Sequence, residues 1–571
     1  MHLFSDYILR LRTASPAEIL YRLRQAALVR RMRHPAARRA VGPNRVELAG
    51  AESVRLRMPE ILATGAGNQA SATLNTEPEE IRRFEAKWAG RYFADVRQGP
   101  ADPDIRAVWE PARLQGLVSM SDETAAREVL SWLRRHPFLT GPHYLSAMEC
   151  GLRIPVMVCA VTANTRLPAG DREEIAAGIF RHAWWIERRL SLYASLGNHT
   201  VCEALGLVFA GALFQHGSGG RRWLKKGLSL LNQELVHQVL PDGGPMEQSL
   251  AYHRFVLDLY WLAADLIQRN RLADVSGWRE RLIRGERFLK SFDFEGICFP
   301  AIGDSDDGFA VAPGLAPRRP GVPTAEPGAH IFPDAGYSVF RFDNGLLTFD
   351  HGLLGMAPLY NHGHADALSV SLACQGRPIL VDPGTFCYNG APAWRRYFKS
   401  TRAHNTVSVD GVDQALQAGG FMWRKPYPCK LLDHRADGDG MYAAAEHDGY
   451  RRLKAPVIHR RSVFVADQGV VIEDRFRGSG SHVFEIHFHL HPESTAQRQG
   501  DGWWVQNGPA RVGIRIKGVD EVAAVRGQTE PILGWYAPAY GAKVPATTLR
   551  GEKRGSPDEV VFRTVIAIRQ G

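Results

Sequence analysis

The apolar pattern of this 571-residue chain changes its period near His330, and that change limits what the chain can fold into. Upstream, from about residue 78 to residue 294, apolar side chains recur every three or four residues, the mark of amphipathic helices. Residues 184–213 show it well: Trp185, Ile186, Leu190, Leu192 and Leu196 are followed, after a break at Gly197, by Val201, Leu205, Val208 and Leu213. Gly141-Pro142, Pro168-Ala169-Gly170, Gly217-Ser218-Gly219-Gly220 and Pro241-Asp242-Gly243-Gly244 separate such stretches as turns. Helical hairpins in series are expected, without a strict repeat. Downstream, Tyr337 and Val339, the turn Asp343-Asn344-Gly345, and then Leu347 and Phe349 read as a hairpin. Residues 407–409, 462–465, 470–472 and 560–562 read as further short strands of an antiparallel sandwich. The Pro-, Gly- and Ala-rich stretch APGLAPRRPGVPTAEPG between the two textures suits a linker. The expected class is α+β multidomain, helical first and β-sandwich second.

The formal net charge is +10, dispersed along the chain, with its densest run from Arg22 to Arg39 on a helix broken at Pro35. A basic surface favours polyanions, acidic polysaccharide among them. Without a basic arm or a nucleic-acid module, nucleic acid is not an expected partner. Seven cysteines without a CxxC pair, Cys298 among them, argue against a disulfide scaffold. No stretch reads as a membrane span. The start has neither a long apolar core nor a small-residue cleavage site, so a cytoplasmic location is expected, with periplasmic and secreted locations left open.

Several places concentrate groups capable of chemistry. Asn361-His362-Gly363-His364-Ala365-Asp366 is dense in titratable side chains. His364, Asp382 and His404 form a donor set suited to zinc, the alternative being histidines that only brace loops. Asn198-His199 follows Gly197 between two apolar helices, where buried polar groups need partners or a cleft; a helix cap is the plainer explanation. The Gly/Pro-rich loop 241–249 delivers Glu247 and then Tyr252-His253 to a helix start, and a tyrosine can exchange a proton if its surroundings tune it; a core tyrosine is the commoner fate. Trp109-Glu110 with Arg113 offers a flat face to a sugar and a fork to a carboxylate, or simply a packed Trp beside an ion pair. Trp394-Arg395-Arg396-Tyr397-Phe398-Lys399 suits an anionic glycan, or is a solvated basic loop. His487, His489 and His491 alternate along a strand and share one face, a second metal site or, as the plainer reading, an ordinary strand face.

Taken together, these segments resemble the heparinase II/III family of polysaccharide lyases. HGHADALSVSLACQGRPILVDPGTFCY followed by WRRYFKSTRAHNTVSVDGVDQ looks like the C-terminal signature of that family, and WEPAR, GNHTVCEALGL, MEQSLAYH and IGDSDDG occur in the family's order. The resemblance implies an N-terminal helical arm (1–75), an incomplete α/α toroid bearing catalytic residues (76–315), a linker (316–330) and an antiparallel β-sandwich (331–571). It implies that Asn198 and His199 neutralise a uronate carboxylate, that Tyr252 and His362 are catalytic, and that His364, Asp382 and His404 hold a structural zinc. No organic cofactor is expected. Trp109, Glu110, Arg113, Glu247, Arg396 and Tyr397 are expected to bind substrate, Tyr397 ahead of Tyr388 as a second tyrosine at the chemistry. The implied reaction is β-elimination, with Tyr252 and His362 sharing the acid and base roles. A glycoside hydrolase would need two carboxylic residues at a fixed separation, with Glu110, Glu203, Glu247, Asp304 and Asp306 available. A non-catalytic glycan-binding protein is the other alternative.

Overall fold

The computed structural model describes residues 14–64, 78–99, 101–164, 166–193, 195–293, 300–343 and 345–569. Cys298, Asn344 and the first residues of the chain, on which the leader reading partly falls, lie outside the described residues. The six described cysteines are free thiols. Two compact units are present. One comprises the chain up to His237, Phe255–Arg279 and Phe309–Pro320; the other comprises Gln238–Arg254, Glu280–Gly308 and the chain from Gly321 onward.

In the helical unit, the basic run is two helices, Pro16–Met32 and Pro35–Arg39, broken where Pro35 begins the second. Ala147–Ala163 packs against both Ala169–Arg188 and Asn198–Leu213. Glycine permits the second of these contacts. A Cβ on Gly151 would lie 2.4 Å from the Cys202 carbonyl oxygen, and one on Gly206 would lie 2.8 Å from the Gly151 Cα. The two backbones therefore approach closely, and nearly every residue of Asn198–Leu213 is buried. Gly197, at φ +97°, supplies the left-handed turn from which this helix starts. Asn198 and His199 consequently occupy its first turn.

The second unit is antiparallel throughout its main sheets. Gly328–Phe332, Tyr337–Phe342, Gly345–Asp350, Val370–Cys374 and Arg377–Leu380 form a five-stranded meander, and the expected hairpin pairs Phe342 with Gly345. An eight-stranded sheet runs from Cys429–Asp437 through Gly440–His447, Val457–Ala466 and Gly469–Gly478. It continues with Val561–Ile568, Ala510–Lys517, Gly502–Asn507 and Thr495–Gln499. Val407–Val409, His482–His489, Thr547–Gly555 and Glu521–Arg526 make a four-stranded sheet. Their apolar faces share one core, including Phe349, Leu372, Val463, Ile472, Phe488 and Phe562. Val457–Ala466 alternates between core and surface as a strand must. That alternation turns Arg461 inward, where it forks onto Asp474 at 2.7 and 3.0 Å. Arg461 also donates to the carbonyls of Leu368 (2.8 Å) and Asn405 (2.5 Å), fixing the segments beside His364 and His404.

The tight glycine crossing in the helical unit gives a direct prediction. Gly151→Ala is expected to lower stability by about 1–3 kcal/mol, the usual range for overpacking. Urea unfolding measures it, and an unchanged midpoint would contradict the account of the crossing.

Candidate active site

Within the strand-rich unit three chain segments meet at one buried carboxylate, and turn chemistry brings them there. Asp242 accepts from the Gly244 amide at 3.1 Å and from the Asp334 and Ala335 amides at 2.8 Å each, pinning the loop ahead of the helix Leu250–Arg269. Ser249 caps that helix: its hydroxyl oxygen accepts from the Tyr252 amide at 3.1 Å and its proton goes to the Asp304 carbonyl at 2.5 Å. Gly303 has φ +68°, and a Cβ there would lie 2.1 Å from the Gln248 carbonyl oxygen and 2.9 Å from that of His362. Only glycine lets these strands of chain close together. The Asp304 amide then donates to the His362 carbonyl at 2.9 Å.

The Asp304 side chain is fully buried. Arg395 forks onto it, with Nη1 on Oδ1 and Nη2 2.9 Å from Oδ2. His362 Nδ1 lies 3.1 Å from Oδ2, His364 Nε2 lies 3.1 Å from Oδ1, and the Thr385 hydroxyl donates at 3.4 Å. Burial works against ionisation, but the Arg395 charge and the histidine hydrogen bonds outweigh it and hold the carboxyl well below its ordinary value. Asp304 is therefore a fixed acceptor for both histidines. With Nδ1 donating to Asp304, His362 turns Nε2 the other way, 3.6 Å from Glu247 Oε2.

The Tyr252 ring stacks on the His362 ring at 3.9 Å between centroids and 29° between planes. Its hydroxyl is 2.6 Å from Asp306 Oδ2, to which it donates, and 3.1 Å from the Tyr388 hydroxyl. Tyr388 is held in turn by its amide, which donates to the Tyr540 hydroxyl at 2.9 Å, and by the Arg395 guanidinium 5.0 Å from its ring centroid. The second tyrosine beside Tyr252 is thus Tyr388 and not Tyr397. Tyr397 is buried with Phe398, Ala403, Leu533 and Ala537, and burial pushes its hydroxyl above the ordinary value. Arg396 is exposed, on the outer side of the short helix Pro392–Phe398, whereas its neighbour Arg395 is buried at Asp304. Arg395, expected in a cluster suited to an anionic glycan, instead pairs with Asp304, and Asp304 and Asp306, available as hydrolase carboxylates, instead hold the imidazoles and the Tyr252 hydroxyl.

His364, Asp382 and His404, all buried, bring three ligating atoms within 4.8 Å of one another. His404 Nδ1 is 2.7 Å from the Ser400 carbonyl and can only donate there. His364 Nε2 faces the Asp304 carboxylate in the same way. Each neutral ring then presents a lone pair, and these two nitrogens face each other at 3.2 Å, with Asp382 Oδ2 3.8 Å from His404 Nε2. Two opposed lone pairs beside a carboxylate are what a bound cation relieves, and the outer hydrogen bonds are those that orient metal-binding histidines.

Trp109, Glu110, Arg113, Asn198 and His199 lie in the helical unit. Arg113 forks onto Glu149, both contacts at 2.9 Å and both groups buried. Burial opposes ionisation of Glu149, but Arg113, then Arg153 and His199, hold its carboxyl below the ordinary value. The Arg113 fork expected for a substrate carboxylate is therefore engaged within the protein. Trp109 donates from Nε1 to the Pro142 carbonyl at 3.0 Å, and Glu110 pairs with Arg106 at 3.4 Å. Asn198 is buried and His199 half-buried. His487 and His489 are buried on one strand face, their rings stacked at 6.3 Å, with His489 bonded to Thr548 and the Arg402 carbonyl.

Residues 146–308 match the Heparinase II/III N-terminus, and residues 324–564 match the Heparinase II/III-like C-terminal domain. A heparin-sulfate lyase of Bacteroides stercoris is 23% identical over 437 residues, 69% of this chain and 60% of that protein. FtsZ-localized protein C of Caulobacter vibrioides is 24% identical over 432 residues, 69% of this chain and 72% of that protein. The alignments to heparin-sulfate lyases span 47 to 60% of those proteins' lengths. The crystal structure of heparinase III matches with a TM-score of 0.67 at 17% identity, covering 96% of this chain and 92% of that one, so the fold is shared. The expected order, helices and then antiparallel sheets, is the order of that fold, and the chain belongs to the heparinase II/III-like family.

Proposed function

We propose that this chain is a polysaccharide lyase that cleaves a uronate-containing acidic polysaccharide by β-elimination. The observation that supports it best is the stack of Tyr252 on His362, with Asp306 and Tyr388 at the Tyr252 hydroxyl and Asp304 behind the imidazole. In this reaction the C5–H and C4–O bonds break, a C4=C5 double bond forms, and the departing oxygen takes a proton. His362, donating from Nδ1 to Asp304, presents Nε2 as the base for one epimer at C5. Tyr252 protonates the leaving oxygen, and for the other epimer it also accepts the C5 proton while its own moves to Asp306. That relay lets the tyrosine act without first becoming a phenolate. Asn198 and His199 are assigned to the substrate carboxylate on the family resemblance, where donors stabilise the anion that develops.

The donor set of His364, Asp382 and His404 fits zinc. Zinc held there would tie the three segments together, behind the Asp304 that orients His362; no step of the elimination passes through it. Two of the carboxylates a hydrolase could use are engaged within the protein. Asp304 is locked by Arg395. Glu203, pushed up to about 8 by burial, is fully enclosed and accepts from the Ser191 amide and hydroxyl.

Purified protein incubated with a panel of uronic-acid polymers is expected to release products that absorb in the ultraviolet through the new double bond. Tyr252→Phe should lower kcat by about 10²-fold or more, the typical worth of a positioned acid or base; full activity in that variant would remove Tyr252 from the mechanism, and no cleavage of any polymer by wild type would favour the binding reading. Stripping with a chelator should lower the melting temperature, and zinc should restore it. A protein that carries no metal and melts unchanged would refute the zinc assignment.

A further inference from the structure

We propose that Glu85, His136 and His143 form a second divalent-cation site, of the zinc class, wholly within the helical unit. Three ligating atoms, one from each residue, lie within 4.8 Å of one another. Glu85 projects from the helix Glu79–Trp88, His136 caps the C-terminus of Asp122–Arg135, and His143 lies in the turn Pro142–Tyr144. Backbone bonds hold these segments in register: the Phe93 amide donates to the Leu139 carbonyl at 3.0 Å and the Gly141 amide to the Arg91 carbonyl at 2.9 Å.

The independent observation is His143 itself. Its side chain has no exposed surface, yet neither ring nitrogen has a hydrogen-bond partner among the described residues. Nε2 lies 2.8 Å from Glu85 Oε1 without forming a hydrogen bond. Buried imidazoles are rarely left so, and a bound ion is one of the few things that satisfies them. The rings of His136 and His143 meet edge to face with centroids 4.5 Å apart, so both imidazoles border the same point. His136 and Glu85 are only half-buried, which gives an ion a way in.

The chemistry of the donors selects the ion. Two imidazoles and one carboxylate suit zinc and its neighbours, whereas calcium and magnesium seek oxygen. Arg135 and Arg153 lie near the histidines, and Glu85 supplies the single negative charge among the three ligands. Such a site would staple the helix Glu79–Trp88 to the end of Asp122–Arg135. It shares no residue with the cluster of His364, Asp382 and His404, so the two can be told apart.

The test uses the full chain, stripped with chelator and titrated with zinc alone. Wild type, Glu85→Gln and His136→Ala are compared by titration calorimetry and by metal analysis after dialysis. Each variant is expected to bind one zinc fewer than wild type, or to bind that ion at least roughly tenfold more weakly, since even partners outside the ligand shell are worth that much. Glu85→Gln preserves side-chain volume at a half-buried position, and circular dichroism checks that both variants are folded. Equal stoichiometry and affinity in all three folded proteins would overturn the proposal.

Discussion

The ionised Asp304 carboxylate is the constraint on which the candidate site depends. A carboxylate without exposed surface is costly, and it persists because Arg395 supplies a forked countercharge and two imidazoles supply donors. Its two oxygens divide the labour. Oδ2 fixes the orientation of His362, and Oδ1 fixes that of His364. One group therefore sets the proton inventory of the proposed base and the lone pair of a proposed metal ligand. At Gly303 a larger residue would not let the chain bring Asp304 to that point, and the Ser249 hydroxyl holds the Asp304 carbonyl there.

The neighbouring tyrosines obey a similar logic at the surface of the same cluster. Tyr252 has an acceptor in Asp306 and a hydroxyl neighbour in Tyr388, so its proton has a defined place to go and to come from. Tyr388 is itself positioned by Tyr540 and Arg395. Arg395 thus touches both halves of the arrangement, the buried carboxylate and the tyrosine pair. Further back, the inward-facing Arg461–Asp474 pair braces the backbone next to His364 and His404, so the β-core contributes directly to the geometry of the site.

Much of this could be read from the order of residues. The change from helical to alternating periodicity gave the two textures, because burial on one face imposes a period on each. Tyr252, His362, His364, Asp382 and His404 stood out because they lie in short, unusual runs whose order resembles one family. The rest of the site depends on contacts distant in sequence. Asp304 pairs with Arg395 across 91 residues, and no local pattern distinguishes it from Asp306 or Asp307. On the helix Pro392–Phe398, one step of about 100° separates Arg395, turned to the carboxylate, from Arg396, turned to solvent. Tyr397 and Tyr388 were ranked in the wrong spatial order for the same reason. Arg113 looked free to bind a substrate because its partner Glu149 lies on a separate helix.

The central claim, that this cluster carries out elimination, is tested most directly by following oxygen. A uronate polymer that the protein cleaves would be digested in water enriched in heavy oxygen, and the products analysed by mass spectrometry. Elimination breaks the C4–O bond without adding water. The account therefore predicts fragments that carry an unsaturated terminal uronate and no heavy oxygen at the new ends. Saturated fragments carrying one heavy oxygen per cleavage would show hydrolysis and contradict it.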